Sequence, residues 1–258
     1  MSRIFITGSS DGLGLLTAQK LIKEGHRVVL HARNDKRAED ARELVPDAEA
    51  VLTGDLSDIG ETKELAQNVN ALGSFDAIIH NAGILHVASN AKSRDGIPLL
   101  FAVNSLAPYI LTALINRPER LIYLSSGLHR SGTVTEDRLE LIVDGTNFPG
   151  YSDTKLHDLM LALALARKYP DMIVNAVDPG WVPTKMGGNG ATDDLDKGYE
   201  TQAWLAVSQD PDALKSGRLL YHKKEERFKP EAADEVLQEK LLSVCEKISG
   251  IGLGITEL

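Results

Sequence analysis

"RIFITGSSDGLGLLTAQKLIKEGHRVVLHA", Arg3 to Ala32, decides the fold. It opens on a short β-branched run, Arg3–Thr7, of strand character. A glycine-rich turn follows. Leu15–Gly25 then carries apolar residues at helical spacing and ends on a glycine, a common helix stop. His26–Ala32 is a second strand-like run. Strand, turn, helix and strand joined this tightly form the crossover unit of a parallel sheet.

The alternation continues outward from that unit. Lys36–Val45 reads as a polar helix closed by Pro46, Ala48–Gly54 as a third strand, and Ile59–Leu72 as a helix. Phe75–Gly83 is a fourth strand running into a turn. Gly96–Ile115 reads as one long apolar helix bent at Pro108. Arg120–Ser126 is a fifth strand, Tyr151–Tyr169 a helix, Met172–Gly180 a sixth strand and Gly217–His222 a seventh. Pro230–Gly250 closes the chain as a helix with Pro near its start and Gly at its end. The two long irregular stretches are Gly127–Gly150 and Val182–Lys197. This order predicts an α/β fold: a doubly wound parallel sheet of about seven strands, helices on both faces, in one domain over residues 1–258. Ligands of such sheets lie beyond the carboxyl ends of the strands.

Composition narrows the function. Acidic residues number 37 against 28 basic ones, a formal charge of −9 in 258 residues. That balance disfavours nucleic-acid backbones, which are bound by clustered cations. The single cysteine, Cys245, can form no internal disulfide and fits a reducing compartment. No run of 18 apolar residues is present, and the chain enters a strand at once, so the expectation is a cytoplasmic domain with no membrane partner. His80, His129 and His157 have no ligand partners at usable spacing, so no metal is expected.

The turn "TGSSDGLG", Thr7–Gly14, joins the first strand to the first helix. Gly8 can make the sharp exit from the strand. Gly12 and Gly14 leave room for a diphosphate or for close helix–sheet contact, and the helix N-terminus offers free N–H groups. Ser10, Asp11 and Leu13 complete this candidate dinucleotide-binding turn. A glycine-rich turn without a ligand is the alternative. After the second strand, "HARND" has no acid at the position that would take a ribose 2′-OH; Arg33 stands there instead, followed by Lys36 and Arg37. A guanidinium there can pair with a 2′-phosphate. NADP(H) is therefore favoured over NAD(H), a solvated Arg33 being the alternative.

"YSDTK", Tyr151–Lys155, sets a phenol and an ammonium four residues apart, on one helix face. An ammonium favours phenolate, and a phenol so placed can exchange a proton with an alcohol or carbonyl oxygen. The spacing alone is a weak signal. Ser125 and Ser126, at the end of "LIYLSS", add hydroxyls at the expected cleft. A hydrolytic serine would need a nucleophile elbow that this stretch lacks.

Taken together, "TGSSDGLG", "GDLSD" (Gly54–Asp58), "HNAG" (His80–Gly83), "VNSLAPYILT" (Val103–Thr112), "YLSS", "YSDTK" and "DPGWVPT" (Asp178–Thr184) resemble the short-chain dehydrogenase/reductase family, strongly over about residues 3–185. The resemblance implies a Rossmann-type fold and a tetrad of Asn104, Ser126, Tyr151 and Lys155. Tyr151 would be the acid/base and Ser126 would polarise the substrate oxygen. Lys155 would bind the nicotinamide ribose and lower the Tyr151 pKa, and Asn104 would hold a water in a proton relay. Asp55 and Leu56 would flank the adenine, and Asn81, Ala82 and Gly83 would line the cofactor. Pro179, Gly180, Val182 and Thr184 would contact the nicotinamide end. The long separation from Ser126 to Tyr151 is similar to that of the retinol dehydrogenase-like subgroup, here without a membrane anchor. The expected activity is carbonyl–alcohol interconversion on a small-molecule substrate by a homodimer or homotetramer, with Lys185–Gly198 as a substrate lid. A non-catalytic NADP(H)-binding sensor on the same scaffold is the alternative.

Overall fold

Alternate residues of each strand face opposite sides, and in this protein both sides are apolar. Phe5, Val29, Ile78, Leu121, Tyr123, Val174 and Leu219 lie in one buried cluster. Their strand neighbours Ile4, Ile6, Val28, Leu30, Ile79, Ile122, Val177 and Leu220 lie in the other. A sheet buried on both faces has this pattern, and it requires a helical layer on each side.

A computed structural model of the chain describes residues 1–254, so the last four positions of the predicted domain lie outside the described residues. The strands are β1 (Arg3–Ile6), β2 (Arg27–Ala32), β3 (Ala50–Thr53), β4 (Ala77–His80), β5 (Arg120–Leu124), β6 (Ile173–Asp178), β7 (Arg218–Tyr221) and β8 (Lys224–Glu225). They form one sheet in the order β3-β2-β1-β4-β5-β6-β7-β8. The first seven are parallel, and β8 pairs antiparallel with β7. The seven expected strands are present. The eighth is a two-residue return after a turn in which His222 and Lys223 hold positive φ, too short to carry a pattern in sequence. The sheet turns outward in both directions from β1 and β4, and a crevice opens at their carboxyl ends.

The helices are α1 (Gly12–Lys23), α2 (Asp35–Leu44), α3 (Ile59–Ala71), α4 (Leu99–Phe101), α5 (Ala107–Leu114), α6 (Glu136–Val143), α7 (Tyr151–Lys168), α8 (Leu195–Val207) and α9 (Glu235–Ser249). Three expectations need correction. The stretch Gly96–Ile115 is not one bent α-helix. Residues Ala102–Leu106 form a π-helical segment between α4 and α5, with the Ala107 N–H returning to the Ala102 carbonyl five residues back. Pro108 has no N–H to give the carbonyl four residues earlier, that of Asn104, so the regular ladder cannot run through this point. Secondly, Gly127–Gly150 is not irregular throughout: it holds a 3₁₀ turn at Gly127–Ser131 and then α6, which is capped by Thr135 and buries Leu139 and Ile142. Thirdly, the C-terminal helix starts only at Glu235. Pro230–Ala233 is a separate 3₁₀ turn, and the Asp234 side chain caps α9 by accepting from the Val236 and Leu237 N–H groups.

α7 is buried along most of its length, from Thr154 to Leu165. One side lies on the sheet. α9 packs on the other, tied by Arg167 and Lys168 to Glu239 at 2.6 and 2.9 Å. Tyr109 and Tyr169 donate to the carbonyls of Ile251 and Leu253 beyond it. The side of α7 turned away from the sheet is thus covered by the chain's own C-terminal segment. Cys245 lies in that contact with its thiol buried, and burial pushes its pKa up, so it is inert.

Candidate active site

The Thr7–Gly14 turn is held from three directions. The Thr7 hydroxyl accepts from the Asn81 and Ala82 N–H groups at 3.0 Å. The Asn81 side-chain amide donates to the carbonyls of Thr7 and Gly8, both at 3.0 Å. The Gly8 N–H donates to His31 Nδ1 at 2.9 Å, and His31 Nε2 pairs with the Gly54 carbonyl at 2.9 Å. These partners make His31 the Nε2–H tautomer. Burial drives its pKa down to about 4, so it is neutral. In sequence His31, within an apolar strand-like run, looks like core. Its role is to lock the turns after β1 and β3 together.

The turn fits a dinucleotide. Gly8 and Gly12 have φ +60 and +55, which a side chain would strain. Space beside Gly12 is open, whereas a Cβ at Gly14 would lie 2.5 Å from Asn81 Nδ2 and 2.6 Å from the Gly8 carbonyl oxygen. Asp11 caps α1 through the Gly12 N–H at 2.8 Å. It also pairs with Lys185 at 2.5 Å and with Arg37 at 3.6 Å. Burial works against its charge, but Lys185, the Gly12 N–H and Arg37 outweigh burial and hold the carboxyl below the usual range. Ser10 and Leu13 are half-buried in the same turn, and Leu13 packs against the α1 side of the core. Arg33, just past β2, is exposed. Asp55 turns its carboxylate to its own loop, accepting from the Ser57 N–H and hydroxyl, and Leu56 is buried in the core.

At the carboxyl ends of β4 and β5 the other candidate residues meet. Lys155 Nζ donates to the Leu124 carbonyl at 2.8 Å, two residues before Ser126, and lies 5.6 Å from the centre of the Tyr151 ring. A Cβ at Gly83 would be 3.5 Å from both Lys155 Nζ and Asn104 Oδ1. Asn104 makes three hydrogen bonds: Oδ1 accepts from the Ile84 N–H at 2.8 Å, and Nδ2 donates to the Ile84 carbonyl and the Thr154 hydroxyl at 3.0 Å each. The two serines have different duties. Ser125 is buried and donates to the Lys155 carbonyl at 2.7 Å, fastening β5 to α7. Ser126 is only half-buried, and its hydroxyl accepts from the Leu128 N–H at 3.2 Å, leaving its O–H to the cleft. His129, fully buried, pairs through Nδ1 with the Ser126 carbonyl at 2.6 Å.

Beyond β6, Gly180 takes φ +79, and the Asp178 carboxylate accepts from its N–H at 2.9 Å. Pro179 and Gly180 are half-buried and Val182 is buried; the Thr184 hydroxyl accepts from the Gly187 N–H at 3.2 Å. From here the chain crosses the cleft. Lys185 reaches Asp11, and Met186 brings Sδ to 3.9 Å from the Tyr151 hydroxyl, which donates to it. Nothing in sequence marks Met186, for its contact depends on how a long loop folds. Trp181 is exposed and donates through Nε1 to the Gly187 carbonyl, bracing this segment rather than the core. Among the described residues no His, Cys, Asp and Glu side chains are grouped to hold a metal ion. No helix among them is long and apolar enough to cross a membrane.

Comparison with known proteins shows the family. The family model for short chain dehydrogenases matches residues 2–127. An uncharacterized oxidoreductase of Emericella nidulans is 48% identical over 258 residues, covering 98% of this chain and 99% of that protein. The chain belongs to the short-chain dehydrogenase family. Human retinol dehydrogenase 14 is 30% identical over 291 residues, covering 96% of this chain and 86% of that protein, so the retinol dehydrogenase-like subgroup read from the sequence stands. Among solved structures, an uncharacterized protein from Mycobacterium paratuberculosis superposes with a TM-score of 0.82 at 24% identity, covering 98% of this chain and 95% of that one. That likeness shows a shared fold over nearly the whole chain.

Proposed function

We propose that this short-chain dehydrogenase is an NADP(H)-dependent oxidoreductase that interconverts a carbonyl and an alcohol, with Tyr151 as its acid/base. The observation that carries the reading is that Lys155 Nζ faces Gly83 beside Asn104 Oδ1 and lies 5.6 Å from the centre of the Tyr151 ring, at the mouth of the crevice that begins with the Thr7–Gly14 turn. When bound, the nicotinamide supplies or takes up the hydride.

The chain's own residues do the rest. The N–H groups at the start of α1 and the open space at Gly12 receive the diphosphate. Arg33, exposed past β2 with Lys36 and Arg37 behind it, pairs with a 2′-phosphate. Lys155 Nζ, facing Gly83, takes the nicotinamide ribose hydroxyls. The Ser126 hydroxyl orients the substrate oxygen, and the Tyr151 hydroxyl gives it a proton in reduction or takes one in oxidation. The substrate oxygen takes the place now held by Met186 Sδ at the phenol, so Lys185–Gly198 acts as a lid. Every group comes from one chain, so the reading requires no second subunit. With its single thiol buried, the protein suits the cytoplasm.

Fluorescence titration with NADPH and separately with NADH tests the cofactor assignment. The expected result is much tighter binding of NADPH; equal or tighter binding of NADH overturns the role given to Arg33.

A further inference from the structure

Lys155 and Asp158 form an ion pair sealed inside the molecule. Nζ lies 2.8 Å from Asp158 Oδ2, and the two side chains are 5% and 4% exposed. The other Asp158 oxygen, Oδ1, is buried without a hydrogen-bond partner among the described residues. A carboxylate so enclosed is costly. The helix does not need it: its neighbours Leu156, Leu159, Met160 and Leu161 are buried and apolar. Asp158 is also the one carboxylate that Lys155 contacts among the described residues. Lys155 divides its protons between the interior and the cleft. Two N–H groups go to Asp158 and to the Leu124 carbonyl, which leaves the third for the side where Gly83 lies.

We propose that Asp158 is a positioning residue that keeps the Lys155 ammonium charged and seated toward the cleft, an inference that rests on the function proposed above. Without a partner, an amine buried this deeply sheds its proton. Burial is the largest single influence on Lys155 and lowers it, but the Asp158 charge, Tyr151 and the hydrogen bond to Asp158 together outweigh burial and hold the ammonium above its usual range. Burial also dominates at Asp158 and pushes it up to about 6 against the pull of Lys155, so both groups are charged at neutral pH. The groups facing the pair are few. Tyr151 lies on the same helix. From β5 comes Tyr123, a phenol kept neutral by burial, with its ring 4.8 Å from that of His80, itself held neutral by burial. Beyond Tyr123, on α9, lies Cys245, whose thiol burial keeps protonated. No other carboxylate of the described residues replaces Asp158.

The test is NMR of the ligand-free protein labelled with 13C-lysine, following the Lys155 Cε resonance against pH, with Lys155→Met used only for assignment. In Asp158→Asn the Lys155 titration is expected to move to lower pH, and Asp158→Glu, which keeps the charge, is expected to restore it. The pH profile of turnover should follow: Asp158→Asn loses activity on the alkaline side, by roughly tenfold for each unit of displacement, where the wild type does not. A Lys155 resonance that titrates at the same pH in folded Asp158→Asn and wild type overturns the proposal. Should Asp158→Asn fail to fold, the wild type still decides: its Lys155 signal must step as Asp158 takes its proton near pH 6, and a flat trace overturns the pairing. A wild type that turns over no carbonyl compound while the Lys155 signal behaves as expected sinks the proposed function and supports the charge pairing.

Discussion

The Tyr151 hydroxyl points at Met186 Sδ, 3.9 Å away, so the loop that follows β6 rests on the same oxygen that is proposed to move the proton. Shortening Met186 should free the phenol and widen the space above it. Met186→Ala is expected to raise kcat/KM for bulky carbonyl substrates relative to small ones by roughly tenfold. Stability should stay within about 0.5 kcal/mol, as for other half-exposed positions. Paired steady-state assays and thermal melts check this. An unchanged preference would mean that Met186 does not bound the substrate space.

Arg33 is predicted to read the 2′-phosphate. Arg33→Ala removes a charge-assisted contact worth about 1.5–3 kcal/mol, so NADPH affinity should fall by roughly 10- to 100-fold. NADH affinity should change by less than about twofold, because without that phosphate Arg33 has nothing to pair with. Equal losses for both nucleotides would assign Arg33 to the loop and not to the cofactor.

Gly14 tests the packing of the turn. A Cβ there would press on Asn81 Nδ2 at 2.5 Å and on backbone atoms of Gly8 and Ser9 at 2.6 and 2.9 Å. Backbone cannot yield as a side-chain end does. Gly14→Ala should therefore cost about 1–3 kcal/mol in denaturant unfolding and weaken binding of both dinucleotides together. Full stability with lost binding would contradict this packing argument.

Stability should fall with mild acid. His31, His80 and His157 are buried, and burial drives their pKa values down to about 4, 3 and 4. The unfolded chain takes these protons near pH 6.5 and the folded one does not, so the unfolded state binds more protons between those limits. Stability is then full above about pH 6.5 and declines below it, by about 1.4 kcal/mol per pH unit for each histidine. Asp158, pushed up to about 6, works the other way between pH 6 and its ordinary range, so it offsets one of the three slopes. Urea unfolding at pH 7.5, 6.0 and 5.0 should show a falling midpoint. A midpoint that is level or rises toward pH 5 would mean that these histidines are charged in the folded state.

Local signals carried much of this structure. β-branched runs marked the strands, glycines marked the turn after β1, and the four-residue spacing of Tyr151 and Lys155 survives on α7 because a helix preserves it. Other features depend on what the folded chain brings near. The π-helical segment follows from the missing N–H of Pro108, which reads in sequence only as a bend. α6 has a capping Thr135 and acidic residues in its first turn, but eight residues among polar neighbours give a weak period. Asp158 stands three residues after Lys155 in plain view. A charged pair on a helix reads as a solvated face, and only the packing of the sheet and α9 around α7 turns it into a buried one. His31 and Met186 were silent for the same reason: their partners lie 23 and 35 residues away in the chain.

The most direct measurement is NADPH-dependent turnover over a panel of aldehydes and ketones by the wild type and by Tyr151→Phe, with NADPH binding measured in parallel. The predicted result is turnover by the wild type, a loss of roughly 100-fold or more in the variant, and nearly equal NADPH affinity in the two. Turnover retained by folded Tyr151→Phe would contradict the proton-transfer role at the centre of the proposed mechanism.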